Sequence, residues 1–338
     1  TEYKNIPITA RSHNVPAQLT TLGKRMANWG EELERGLEAM NRMCATYPYR
    51  GIKGAVGTRL DQVTLLGNPQ KADSLDKKIM EHLGAPANWE NVGQIYPRSL
   101  DFEVVSLLVR LSSAPSSFAK TVRIMAGHEL MGEGFAEGQT GSSAMPHKMN
   151  SRSCERINGF QAILNGHLTM VSQLSGDQWN EGDVSCSVVR RVALPDAFFA
   201  LDGLLDTFIT VLNQMEAFPA VIESEKQRYL PFLLTTTLLM ESIKRGAGRE
   251  DAHEAIKKHA LSAVEDLRKG RISENDLVLR LSRDKKVGLD MRTIQSIIKK
   301  GERALGSSNE QVEYFLRRAR SWGERYPEAK NYSPPAIL

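Results

Sequence analysis

Aromatic residues make up only 7% of this 338-residue chain, and the alternating β-branched pattern of sheets is scarce. Both absences argue against a β-rich architecture and leave helices as the expected element. No run of about 18 apolar residues occurs, so no membrane-spanning helix is expected. The first residues carry no signal-peptide pattern. The three cysteines, Cys44, Cys154 and Cys186, are odd in number and far apart. They give neither a disulfide framework nor paired zinc spacing, and such usage fits a reducing cytoplasm. There are no internal repeats. A formal charge of +4, from 44 basic and 40 acidic residues, is dispersed. It argues against nucleic-acid binding and suits a small anionic ligand.

What is present is helical periodicity. Pro7 and Pro16 block regular helix at the start, so residues 1 to 16 are expected to be extended or irregular. From Ala17 onward Leu22, Met26, Trp29, Leu33, Leu37 and Met40 recur every three or four residues, an amphipathic stripe that ends at Tyr47-Pro48. Glycine-punctuated connectors (KGAVGT, GNP) and a short helix over about 72 to 83 follow. Leu100, Val104, Leu107, Leu111, Phe118, Val122 and Met125 form a second stripe, with a kink expected at Pro115. Ile157, Leu164, Leu168, Val171 and Leu174 form a third. Val188, Val192, Phe199, Phe208, Leu212 and Met215 form a fourth, interrupted by Pro195. Off-stripe Phe198, Leu201 and Leu205 indicate a second buried face, which contacts between subunits would cover. Long helices with such stripes bury them against one another, so the fold class is all-α with a long central bundle. Beyond Phe218-Pro219 the helices shorten and become more basic. The expected domains are therefore 1–217, the bundle with a loop at about 132–150, and 218–338, a smaller C-terminal helical domain.

The loop carries the chemistry. Residues 141–150 read GSSAMPHKMN and follow a glycine-rich, polar stretch between two long apolar-periodic segments. A polar loop of that length between packed helices is more often functional than structural. The stretch resembles the signature of the fumarase/aspartase superfamily, GSSxMPxKxN. With RSHNVPAQLTTLGKR (11–25), NVGQIYPRS (91–99), SCERING (153–159) and NEGDVSCSVVRR (180–191), the chain most resembles the adenylosuccinate lyase branch.

That resemblance implies a reversible β-elimination of fumarate. The substrates would be adenylosuccinate, giving AMP, and the succinylaminoimidazole carboxamide ribotide of purine biosynthesis, with no metal or organic cofactor. Such a reaction needs a base for a weakly acidic proton, cations for a dianionic intermediate, and an acid for the leaving nitrogen. The resemblance implies Ser142 as base and His13 as acid, an imidazole being the side chain that donates protons near neutrality. It places Ser12, Gln94, Ser143, Lys148 and Asn150 around the succinyl group. Arg156, Ser187 and Arg191 are implied at the nucleotide phosphate, for which guanidinium forks are suited. His147 lies in the signature at a variable position and has no implied role. Where many relatives have arginine, this chain has Gly182.

The resemblance also implies a homotetramer in which each site draws segments from three subunits. It further implies an N-terminal domain, with a second histidine, ahead of the motif that begins a few residues after Thr1; a chain lacking it is expected to leave its sites incomplete. Argininosuccinate lyase and carboxymuconate cycloisomerase chemistry, and an inactive helical scaffold, remain alternatives.

Overall fold

The computed structural model describes residues 2–134, 145 and 147–337. A hairpin comes first, β1 (Pro7–Ser12) and β2 (Val15–Thr21), followed by the 25-residue helix α1 (Leu22–Thr46). Two short helices, α2 (Leu60–Leu66) and α3 (Pro69–His82), precede three long ones: α4 (Ser99–Gly127), α5 (Arg152–Leu174) and α6 (Ser185–Gln214). Six shorter helices follow: α7 (Pro219–Leu233), α8 (Thr235–Lys244), α9 (Arg249–Arg268), α10 (Leu277–Arg283), α11 (Met291–Gly301) and α12 (Ser308–Arg325). The architecture is all-α.

The chain packs into two units. One comprises Trp29–Glu216 with Pro327–Leu338; the other comprises Thr1–Asn28 with Ala217–Tyr326.

In the first unit α4, α5 and α6 run up, down and up. Ser116 and Arg123 of α4 each bond Asn158 of α5, and His167 of α5 meets Asp196 of α6 at 2.6 Å. The core is built from Leu108, Leu111, Phe118 and Val122 of α4, Ile157, Leu164 and Val171 of α5, and Ala193, Ala197, Leu204 and Val211 of α6. Phe118 sits edge-on between Trp29 and Phe208, with centroids 5.5 and 5.2 Å away, a preferred aromatic geometry. Pro115 and Pro195 both lie inside continuous helices.

Two sequence expectations are corrected. Residues 17–21 are strand, not helix. Their side chains are mostly polar, and they pair through Leu19 with Thr9 and Thr20 with Ile8, so helix begins only at Leu22. On α6 the expected stripe is largely the outer face: Val188, Val192 and Phe199 are exposed, Phe199 by 72%. Alanines form the inner face, because closely packed neighbouring helices leave room only for small side chains there. Of the off-stripe residues, Leu201 is buried in the core and Phe198 is exposed.

The second unit has its own core, from Leu238, Ala255, Ile256, Leu277, Leu281 and Ile294. The hairpin belongs to this unit. Arg11 pairs with Glu225 of α7, and its guanidinium lies over Tyr229 at 6.0 Å.

A buried ion pair fastens the loop after α1. Lys53 and Asp76 of α3 are each about 3% exposed, and Asp76 also accepts from the Ile52 amide at 3.0 Å and from Asn88 at 3.2 Å. Burial alone would raise the Asp76 carboxyl, but the Lys53 ammonium and these donors hold it below its ordinary value. Asp76→Ala, which leaves Lys53 buried and unpaired, is expected to cost about 3–5 kcal/mol in urea denaturation at neutral pH. A depressed carboxyl stabilises the fold above its unfolded pKa of about 3.9 and ceases to as pH falls through the lower folded value. The gap between parent and variant should therefore narrow only below about pH 4.

Candidate active site

One end of the bundle carries Gln94, Ser187 and Arg191. Gln94 lies exposed in the loop ahead of α4, and its amide donates to the Glu181 carbonyl at 2.8 Å. That bond holds the Gln94 loop against the loop that opens α6. The Asp183 carboxylate accepts from the Ser185 amide at 2.7 Å, which satisfies one free N–H of the first turn of α6. Ser187 is half-buried in that turn, and Arg191, one turn on, is exposed.

The two adjacent arginines are not equivalent. Arg190 turns back to the bundle: its Nε is 2.8 Å from the Asp101 carboxylate, and its Nη2 donates to the Tyr96 hydroxyl at 2.6 Å. Arg191 makes no hydrogen bond or ion pair with any described residue, so its fork is open to a ligand.

Gly182 explains itself here. Its φ is +139°, and a Cβ would lie 2.9 Å from Ile95 Cγ1. A larger residue would be strained at this φ and would push the Ile95 side chain aside, so an arginine at position 182 does not suit this conformation.

The other end carries the signature. Ser142 and Ser143 lie outside the described residues. Lys148 is exposed, with its amide donating to the Met145 carbonyl at 2.9 Å. Asn150 is half-buried, and its carbonyl accepts from the Arg152 amide at 2.9 Å as α5 begins. Arg156 is exposed on the second turn of α5. The root of this segment is held by Glu133, a buried carboxylate that accepts from the Ser153 and Cys154 amides at 3.0 and 2.8 Å. Burial, with the Glu133 carboxylate beside it, pushes the Cys154 thiol up, so Cys154 stays a neutral packing group. Gly134 (φ +80°) passes so close to the Gln214 carbonyl that a Cβ would meet it at 1.9 Å.

These two ends are far apart. Asp101 of α4 contacts Arg190, whereas Arg123 of α4 contacts Glu155 and Asn158, and about 30 Å of continuous helix lies between. A mononucleotide does not bridge that length. Within one chain, then, Lys148, Asn150 and Arg156 do not meet Gln94, Ser187 and Arg191.

His13 belongs to the other unit, at the tip of the β1–β2 hairpin. Ser12 pairs with Val15, so His13 and Asn14 form a two-residue turn, both with positive φ (52° and 59°). This is the type I′ geometry that suits hairpin twist. Arg11 donates to the Asn14 carbonyl at 3.2 Å and steadies the tip. Ser12 and His13 are both exposed. Sequence reasoning did not find Tyr96, Asp101 or Glu133, and it grouped Arg190 with Arg191 at the phosphate, whereas Arg190 is engaged by Asp101 and Tyr96. The Tyr-Pro-Arg-x-x-Asp spacing at the start of α4 was the available signal for the first two.

The comparisons agree with the motifs. The family described as Lyase matches residues 1–165, and that described as Adenylosuccinate lyase C-terminus matches residues 231–315. The adenylosuccinate lyase of Saccharomyces cerevisiae is 33% identical over 320 residues, 94% of this chain and 66% of the yeast protein. The chain belongs to the adenylosuccinate lyase family. Another member, from Bacillus subtilis, is 30% identical over 266 residues, covering 78% of this chain and 59% of that protein. The chain thus spans slightly less than two thirds of these adenylosuccinate lyases. Among solved structures, the 3-carboxy-cis,cis-muconate lactonizing enzyme from Pseudomonas putida superposes with a TM-score of 0.77 at 19% identity, covering 95% of this chain and 68% of that one. A fumarate lyase from Mesorhizobium sp. BNC1 gives 0.74 at 18%, covering 93% and 68%. At such identities the likeness shows the fold alone.

Gly182→Arg, which installs the residue many adenylosuccinate lyases carry, is expected to lower stability by about 1–3 kcal/mol in thermal unfolding, because it forces a side chain into a strained backbone. It should not raise activity.

Proposed function

We propose that this protein is a carbon–nitrogen lyase that eliminates fumarate from adenylosuccinate and from the succinylaminoimidazole carboxamide ribotide of purine biosynthesis. The observation that carries the reading is the 33% identity to an adenylosuccinate lyase across 94% of the chain. In this mechanism Ser142, as its alkoxide, removes the proton from the carbon beside the substrate carboxylate. The resulting dianion is held by the Lys148 ammonium and the Asn150 amide. Collapse of the dianion breaks the C–N bond, and His13 protonates the departing nitrogen, leaving fumarate and the amine product. Gln94 and Ser143 orient the succinyl carboxylates, with the Ser12 hydroxyl beside His13. Arg156, Ser187 and the unpaired Arg191 receive the phosphate.

The site is assembled from several copies of the chain in a homotetramer. Two features support this. The signature end and the Gln94–Arg191 end lie about 30 Å apart along one bundle, so they complete a site only against a neighbour's opposite end. The outer face of α6 carries Val188, Val192 and Phe199 exposed in one line, an apolar strip that a second copy would cover. Among the described residues no helix is long and apolar enough to cross a membrane.

The test is fumarate release measured with adenylosuccinate, argininosuccinate and carboxymuconate offered side by side. Turnover of adenylosuccinate alone is expected, and turnover only of the others would reject the assignment. Ser142→Ala and His13→Ala should each lower kcat on the order of a hundredfold or more. A correctly assembled oligomer without any turnover would instead identify a scaffold.

A further inference from the structure

The Tyr96 side chain occupies an unusual position. It is half-buried at the start of α4, where four charged or phenolic groups converge on it. Its hydroxyl accepts from Arg190 at 2.6 Å and donates to Asp101 at 2.8 Å. Its ring carries the Arg98 guanidinium 3.8 Å from the centroid and the Arg190 guanidinium at 5.3 Å. Its own carbonyl accepts from Arg98 Nε at 2.9 Å. The Tyr47 hydroxyl completes the set. Asp101, 2% exposed, takes Arg98 at 3.1 Å and Arg190 at 2.8 Å, so one carboxylate compensates two guanidinium groups.

Gln94 is two residues before Tyr96 on the same loop, and Arg191 follows Arg190 on α6. The phenol therefore joins, side chain to side chain, the loop that bears Gln94 and the helix that bears Ser187 and Arg191. Burial and the Asp101 carboxylate push the Tyr96 hydroxyl up, so it stays neutral and both donates and accepts at any physiological pH.

We propose that Tyr96 is a positioning residue that locks the Gln94 loop to the first turns of α6, so that the groups meeting the succinyl end and the phosphate end of one ligand act as a single rigid jaw. The proposal rests on the ligand reading given above. Binding through a preorganised jaw makes the two ends energetically coupled: losing either grip also removes much of the advantage of the other. It also accounts for the paired arginines. Arg190 is consumed in holding the jaw closed, and Arg191 is presented to the ligand.

The test is a double-mutant cycle on kcat/KM for adenylosuccinate, with Gln94→Ala and Arg191→Ala made singly and together, in the parent and in Tyr96→Phe. Tyr96→Phe removes one hydroxyl and keeps the ring on which both guanidinium groups rest. Its fold is checked by circular dichroism and thermal midpoint. Arg190→Lys, which keeps the charge and loses the fork, serves as a second variant. In the parent the two alanine changes should be clearly non-additive. Tyr96→Phe should raise KM on the order of tenfold with kcat changed less than about threefold, and should make the same two changes additive. Coupling that survives Tyr96→Phe and Arg190→Lys unchanged, while Gln94→Ala and Arg191→Ala each still lower kcat/KM, overturns the proposal and leaves the site reading intact. A fall in kcat and thermal midpoint without loss of coupling also overturns it, because the cluster would then be merely structural. If Gln94→Ala and Arg191→Ala are both silent, the site reading and this inference fall together.

Discussion

The stiffness of three antiparallel helices governs everything else in this protein. A hydrogen-bonded helix rises about 1.5 Å per residue and does not fold back on itself, so side chains tied to its two ends stay apart. Here α4 fixes Asp101 to Arg190 at one end and Arg123 to Asn158 at the other. The residues that the family resemblance implicates divide between those ends, while His13 stands on a hairpin in a different unit. The proposed site, drawn from both ends of the bundle, is therefore one shared between chains, and the exposed apolar face of α6 is the surface on which the proposal has them meet.

Buried carboxylates do the local work of presenting these groups. Glu133 caps the start of α5 behind the signature, Asp101 gathers Arg98 and Arg190, and Asp76 holds the loop around Lys53. In each case a charge is removed from water only where two or more donors meet it, the condition under which burial of a carboxylate is tolerated. Each joins segments distant in sequence, so each sets the geometry of a loop that helix packing alone would leave free.

The bundle was legible in the sequence because stripes such as Leu107, Leu111, Phe118 and Val122 repeat at helical spacing and do lie inside. The α6 stripe misled because that helix is apolar on two faces. Periodicity does not say which of Val188, Val192 and Phe199 or Ala193, Ala197 and Leu204 faces the core. The hairpin was missed because PITARS and VPAQLTT show little apolar alternation, and their pairing is set by backbone hydrogen bonds and the His13-Asn14 turn. Motif residues such as Lys148 and Arg191 could be named from their local text. The Tyr96–Asp101–Arg190 cluster could not, since it joins residues more than ninety positions apart and long-range contacts leave no periodic trace.

The central claim is that complementary ends of different copies form each site, and mixing two inactive variants tests it most directly. Lys148→Ala disables the signature end and Arg191→Ala the other. Each variant is unfolded, the two are refolded together in equal amounts, and fumarate release from adenylosuccinate is compared with each variant refolded alone. Sites shared between chains predict recovery in about one site in four, since random assembly pairs an intact end from each variant in some sites. No recovery above the separate variants, in a mixture shown to form hybrid oligomers, would mean that both ends serve one site from one chain and would contradict the account.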